Sequence, residues 1–345
     1  MLSLDDTKSI KKYDKSCMLD VIGSFPEQCV KAQNIGLAFS VPRSYRIPYS
    51  NIVCTGLGGS AIGADILRSY LLYETKVPIF VNRSYLLPAF VGHRTLVIAS
   101  SYSGDTEETI SAYRDAKKRM AKLIVVTSGG HLRDMADRDG VPVIKIPKGI
   151  PPRCATGYMF FPALILLAKI GIIKDKSGEI GPVIKTLNSI KKKNIAKKVA
   201  RALYNKYPII YASQDSNDCV VTRWRGELAE NAKQISSGNL FPEMNHNEIV
   251  GFENPGYLLK KIVVVILRDP YDHPRVSKRM DITKALLNKG GVKVMEVSSS
   301  GDSRLARVFS LLYIGDFVSF YLALLNRTDP TPVARIAYLK KELGL

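Results

Sequence analysis

The feature that most constrains the fold of this chain is the alternation of short apolar runs with longer helical patterns. "IVCTGL" (52–57), "VPIFVN" (77–82), "TLVIASS" (95–101) and "KLIVVTS" (122–128) have strand length and composition. Between them lie a helical stretch from about Ser60 to Tyr73 and "DTEETISAYRDAKKRMA" (105–121), whose first turn is acidic. Strands separated by helices pair in parallel, because the crossover carries the chain back before the next strand starts. The pattern then recurs: "PIIYAS" (208–213), "KIVVVILRD" (261–269) and "VKVMEVSS" (292–299) read as strands, with helical stretches near 220–233, 275–289 and 304–325. The predicted fold class is therefore α/β, with two doubly wound parallel-sheet halves built as three-layer sandwiches of the flavodoxin-like kind. The expected boundaries are an N-terminal helical lead over 1–45, a first domain over 46–175, a linker helix over 176–200, and a second domain with C-terminal helices over 201–345.

Composition excludes several classes of function. A chain of 345 residues with 46% hydrophobic content can bury two ordinary cores. The start, "MLSLDDTK", lacks the basic and apolar regions of a secretory signal. The apolar stretch 158–168 is too short to span a bilayer, and Asp316 breaks the one over 308–325, so both read as buried helices and no membrane partner is expected. Cys17, Cys29, Cys54, Cys154 and Cys219 are scattered and form no C-x-x-C, which fits small buried hydrophobes in a reducing cytoplasm. His93, His131, His246 and His273 are all more than ten residues apart, so no histidine-rich metal site is expected.

The net charge is +19, from 50 basic and 31 acidic residues. Its densest part, 185–206, alternates lysines with Ile190, Ile195, Val199 and Leu203 at helical spacing, which makes an amphipathic helix with a solvated basic face. It lacks the aromatic–basic interleaving of a single-strand platform, so no nucleic-acid partner is expected. The charge fits attraction of a phosphorylated metabolite instead.

Two strand-to-helix junctions carry the first chemical signal. In "NIVCTGLGGSAIGADIL" (51–67), Gly56-Leu57-Gly58-Gly59-Ser60-Ala61 matches the dinucleotide fingerprint. A nicotinamide fold also needs a carboxylate at the end of the next strand, but "IFVNRSY" places Asn82 there. Only Arg83, facing a 2′-phosphate, would keep an NADP version open. The second junction, "ASSYSGDTEET" (99–109), gathers Ser101, Ser103, Gly104 and Thr106 in one turn. Hydroxyls and free N–H groups before a helix make an anion site, although such turns are also ordinary helix caps. Together the junctions suggest one phosphate held by the second turn, with Gly58, Gly59 and Ser60 close enough to meet a sugar.

These "GxGxS" and "SxSGxT" turns resemble those of the sugar isomerase (SIS) domain family, in which they hold a phosphosugar on a doubly wound sheet. The second half carries a polar segment, "RWRGELAENAKQISSGNLFPEMNHNEIVGF" (223–252), in which Glu227 and Glu230 share a helix face and His246 sits among Asn245, Asn247 and Glu248. Aldose–ketose isomerisation needs ring opening, a base that moves a proton between C1 and C2, and a cation beside the enediolate. The residues alone leave Glu227 and Glu230 both open as the base, His246 open as a structural histidine, and Arg153 open as a partner for a surface carboxylate.

"GLGGSAIG" (56–63), "SYSGDTEET" (101–109), "PPRCATGY" (151–158), "ENAK" (230–233) and "PEMNHNEIVG" (242–251) closely resemble the archaeal-type bifunctional phosphoglucose/phosphomannose isomerases, in the phosphoglucose isomerase superfamily. The resemblance implies that Glu230 transfers the C1/C2 proton and His246 acts in ring opening. Arg153 would stabilise the enediolate, and Ser101, Ser103 and Thr106 would hold the phosphate. A lysine of the C-terminal helix would assist ring opening; "YLKKEL" (338–343) offers Lys340 or Lys341, of which Lys340 is taken. It further implies a homodimer in which His246 crosses to the neighbouring subunit, with neither metal nor cofactor. The expected activity interconverts glucose 6-phosphate, fructose 6-phosphate and mannose 6-phosphate. The competing class is a non-catalytic SIS-domain phosphosugar sensor, which needs the serine turns but not Glu230, His246 and Arg153 together.

Overall fold

In the computed structural model, which describes residues 4–190 and 194–344, the strand-length runs form two separate, wholly parallel sheets. The first contains β1 (Asn51–Thr55), β2 (Ile79–Asn82), β3 (Thr95–Ser101), β4 (Lys122–Thr127) and β5 (Val143–Lys145), in the order β2-β1-β3-β4-β5. The second contains β6 (Tyr207–Ser213), β7 (Ser237–Phe241), β8 (Ile262–Arg268) and β9 (Lys293–Ser298), in the order β7-β6-β8-β9. The predicted α/β class with parallel sheets is what the chain adopts, and the first order is the flavodoxin-like one.

Every residue of β3 is buried, as a strand covered on both faces requires. One face packs Val53, Val97, Ala99 and Val125 against Ala112, Tyr113 and Ala116 of the Glu107–Lys118 helix and Leu132 and Ala136 of the Gly130–Asp139 helix. The opposite layer holds the Gly59–Leu71, Phe25–Ala38 and Thr156–Lys169 helices. The Gly59–Leu71 and Thr156–Lys169 helices approach so closely that a Cβ on Gly63 would lie 2.7 Å from Met159 Cβ. In the other unit, Ile209, Tyr211, Val264 and Ile266 pack on Met280 and Leu287. Its Asp218–Glu230 and Arg304–Leu325 helices meet where Trp224 Nε1 donates to Leu311 O at 2.9 Å.

The structure divides the chain differently from the sequence reading. One compact unit is Ser24–Gly181; the other combines Met1–Gly23 with Pro182–Leu345. The first 45 residues are thus no separate lead. Phe25–Ala38 buries Cys29, Ala32 and Gly36 in the first unit, whereas Met18 and Ile22 are buried in the second. The expected linker helix over 176–200 holds the helices Ile180–Ile190 and Ile195–Leu203, both in packed layers; 191–193 lie outside the described residues. Ile190, Val199 and Leu203 are buried there, and Ile195 is half-buried. β5 and β7 escaped the sequence reading because β5 has three residues and β7 is an edge strand, "SGNLF", without β-branched residues.

The Arg304–Leu325 helix is long and apolar enough to cross a membrane, but 89% of its apolar window is buried inside the molecule. All five cysteines are free, and four are buried; burial pushes the Cys54 thiol up to about 12.

A Cβ on Gly315 would lie 2.3 Å from Trp224 Nε1, whereas one on Gly226 would meet nothing within 4 Å. Gly315→Ala is expected to cost about 1–3 kcal/mol from overpacking. Gly226→Ala is expected to stabilise by about 0.5–1 kcal/mol; chemical denaturation of both variants measures the contrast.

Candidate active site

In the Ser24–Gly181 unit the strand order reverses between β1 and β3, and in such sheets ligands bind beyond the carboxyl ends of strands at that point. The two turns singled out in the sequence both leave from there. Gly56 and Gly59 are taken up by the protein's own backbone. A Cβ on Gly56 would fall 2.7 Å from Ser100 O, and one on Gly59 would fall 2.5 Å from Pro152 O and 2.8 Å from Arg153 Cα. Of the two glycines expected to meet a sugar, Gly59 therefore packs against the chain itself, whereas Gly58 is exposed, has φ 50° and would place a Cβ in open space.

Ser60 is buried, and its Oγ accepts the N–H of Tyr102 at 3.1 Å, which stitches the first turn to the second. Its hydroxyl proton remains to be directed. Ser101 Oγ accepts Gly104 N–H at 3.0 Å and lies 2.8 Å from Thr106 Oγ1. Thr106 stands at the N-cap of the Glu107–Lys118 helix but makes no side-chain cap bond. Its hydroxyl thus belongs to the turn rather than to the helix end. Ser103 is exposed, and its Oγ accepts Asp105 N–H at 3.2 Å. Gly104, at φ 84°, fits only because it has no side chain: a Cβ would lie 1.8 Å from Gly129 O.

Arg153 lies in the short Pro152–Cys154 turn and is 3% exposed, so it is a core arginine rather than a surface one. Two residues that the sequence reading missed hold its turn. Gln28 Nε2 donates to Cys154 O and Gln28 Oε1 accepts Gly157 N–H, both at 2.8 Å. Tyr102 OH accepts Ile150 N–H at 3.2 Å. Neither forms a local motif, because each bond joins segments that are distant in sequence. Ser60, Ser101, Thr106 and the backbone of Arg153 are thus linked within this unit.

The dinucleotide alternative loses its remaining support here. Arg83 pairs with Asp65 of the Gly59–Leu71 helix, and the buried Asn82 donates to Thr55 Oγ1 and Ser84 O. Among the described residues, no group of three or more His, Cys, Asp or Glu side chains is placed to hold a metal ion.

In the other unit, Glu227 and Glu230 lie in the same last turn of the Asp218–Glu230 helix and face different environments. Glu227 is 2% exposed. Its Oε1 is 2.7 Å from Arg223 Nη1, and its Oε2 accepts Asn231 Nδ2 at 2.6 Å. Arg223 also reaches Asp316 Oδ1 at 3.0 Å. Burial raises the Asp316 pKa, and Arg223 opposes that rise. Glu227 is thus committed to a buried network, while Glu230 is half-buried at the helix end.

His246 closes the Glu243–His246 turn after β7 and is exposed. Its neighbours are engaged elsewhere: Asn245 Nδ2 donates to Thr283 Oγ1, Asn247 Nδ2 to Glu243 Oε1, and Tyr211 OH to Glu248 Oε1. Lys340 and Lys341 are both exposed on the Ala334–Glu342 helix, and nothing in their surroundings distinguishes them.

Comparison with known proteins assigns these elements to a family. The chain is 47% identical over 337 residues to a bifunctional phosphoglucose/phosphomannose isomerase of Caldicellulosiruptor bescii, covering 95% of this chain and 99% of that protein. The chain belongs to the bifunctional phosphoglucose/phosphomannose isomerase family. A relative of the same name from Aquifex aeolicus is 38% identical, over 86% of this chain and 91% of its own length. Residues 192–343 match the family model of the bacterial phospho-glucose isomerase C-terminal SIS domain. The C-terminal domain of glucosamine-fructose-6-phosphate aminotransferase from Francisella tularensis superposes with a TM-score of 0.74 at 14% identity, covering 91% of this chain and 98% of that one; this likeness concerns the fold.

The two glutamates are separable by stability. Glu227→Ala is expected to cost about 3–5 kcal/mol, because it leaves Arg223 buried with one partner fewer. Glu230→Ala is expected to cost clearly less, because its site is half-buried rather than in the core. Urea denaturation of the two variants distinguishes them.

Proposed function

We propose that this chain interconverts glucose 6-phosphate and fructose 6-phosphate, and mannose 6-phosphate and fructose 6-phosphate, as a metal-independent aldose–ketose isomerase. The observation that carries the reading is its membership, at 47% identity over 95% of its length, in a family whose relatives bear that name. The linked hydroxyl turns at the β1/β3 reversal support a phosphate site there. Ser101, Ser103 and Thr106 hold it, supported by the first N–H groups of the Glu107–Lys118 helix, and the Gly58–Ser60 turn meets the sugar.

His246 assists opening of the ring, together with Lys340. Glu230 removes the proton from C2 of the open aldose, giving a cis-enediolate, and returns it to C1 to yield the ketose. The guanidinium of Arg153, fixed in its orientation by burial, stabilises the oxyanion that develops. Glucose and mannose 6-phosphates differ only in configuration at C2, so protonation of one enediolate from either face serves both. The commitment of Glu227 to Arg223 supports Glu230 as the base. Exposure of His246 on a turn supports its donation to a second subunit of a homodimer. The proposal includes a cytoplasmic compartment, which the free thiols support.

The purified protein is expected to turn over fructose 6-phosphate equally well with and without a chelator. Glu230→Gln is expected to abolish exchange of the C2 proton with solvent while phosphosugar affinity stays within a few-fold, about the scale of one lost contact. Binding without turnover would favour a sensor, and chelator-sensitive turnover would favour a metal enzyme. If His246 crosses between subunits, mixing inactive Glu230→Gln and His246→Ala proteins restores activity, because each hybrid dimer then holds one intact site; no recovery on subunit exchange rejects that arrangement.

A further inference from the structure

The run Glu230-Asn231-Ala232-Lys233 closes the helix that carries Glu230, and its last residue has no task in the chemistry above. Lys233 has φ 54°, in the left-handed region where glycine or asparagine ends a helix at little steric cost. A lysine held there points to a duty for its side chain. Lys233 Nζ donates to Glu230 O at 2.7 Å and to Pro330 O at 3.2 Å, and it lies 3.5 Å from Asn231 O. Two of these carbonyls belong to the helix end, where carbonyls lack intrahelical N–H partners. The third belongs to the segment that leads into the Ala334–Glu342 helix.

A second tie runs alongside the first. Asn326 Nδ2 donates to Ala232 O at 2.9 Å and to Gln234 Oε1 at 3.2 Å. Beneath them, the fully buried Asn231 donates to Glu227 Oε2 and Ser319 Oγ, which anchors the same run to the Arg304–Leu325 helix. From this arrangement we infer that Lys233 is a positioning residue. Its ammonium locks the main chain of Glu230 to the 326–333 segment, so that the Glu230 carboxylate and the helix bearing Lys340 and Lys341 share one frame. The inference rests on the reading of Glu230 as the proton-transfer base.

The test compares Lys233→Met, Lys233→Gly and Lys233→Arg in the full-length protein, with Glu230→Gln alongside. Met and Gly are both expected to lower kcat on fructose 6-phosphate by about tenfold to a hundredfold, the order of loss that ångström-scale misplacement brings. KM is expected to stay within about twofold, because the contact acts through the reacting group rather than on substrate binding. Arg, which keeps the charge and the donors, is expected to recover most of kcat. Gly relieves the left-handed backbone, so it tests the ammonium without strain even where Met folds poorly; circular dichroism and melting temperature verify folding. A Gly variant with wild-type kcat overturns the inference, as does a raised KM with kcat unchanged, or an Arg variant as slow as Met. If Glu230→Gln still exchanges the C2 proton, the base assignment has failed; wild-type kcat in the Lys233 variants beside an inactive Glu230→Gln marks failure of the positioning role alone.

Discussion

The structure of the first unit depends on one topological constraint, the reversal of strand order between β1 and β3. The helix after β1 lies in one layer and the helix after β3 in the other. Their connecting turns therefore leave adjacent strand ends toward opposite layers, the point at which sheets of this kind form ligand crevices. Backbone groups at such an edge need partners, and the chain supplies them with small hydroxyl residues. Ser60 satisfies Tyr102 N–H, and Ser101 satisfies Gly104 N–H. In the proposed function the same hydroxyls hold the phosphate, so the groups that finish the turns would also serve an anion.

Glycine has a different part here from the one its motif suggests. Gly56, Gly59 and Gly104 are small because other backbone segments occupy the space of their Cβ atoms. At Gly56 the letter-by-letter match to a dinucleotide fingerprint thus records close packing between chain segments, whereas Gly58 has open space, and neither fixes the identity of a ligand. The neighbouring groups decide that question: Asn82 is tied to Thr55 and Ser84, and Arg83 to Asp65.

In the second unit, a buried charge network separates two glutamates that sequence treats as near equivalents. Arg223 is 4% exposed and holds both Glu227 and Asp316. Removing Arg223 would leave two buried acids without their cation, and removing either acid would take one of its two partners from Arg223, which makes the network a rigid base for the helix end. Asn231 extends it to Ser319, and Lys233 and Asn326 continue the tie through main-chain carbonyls. Glu230 stands half-buried at the end of this structure.

By itself the sequence determined the α/β class, seven of the strands, both serine turns, the Glu230 and His246 segments and the family resemblance. These are local features: apolar runs, turn residues and short motifs whose spacing survives without tertiary contacts. Tertiary structure alone decided the division of the N-terminal 45 residues between two units, the edge strand β7 and the packing of the segment expected to be a linker. It also decided which glutamate is buried, and it revealed Gln28, Tyr102 and Lys233 as supports. The reason is physical. A hydrogen bond from Gln28 to Cys154 or from Lys233 to Pro330 joins residues that no periodicity relates, and only the folded chain brings them within reach.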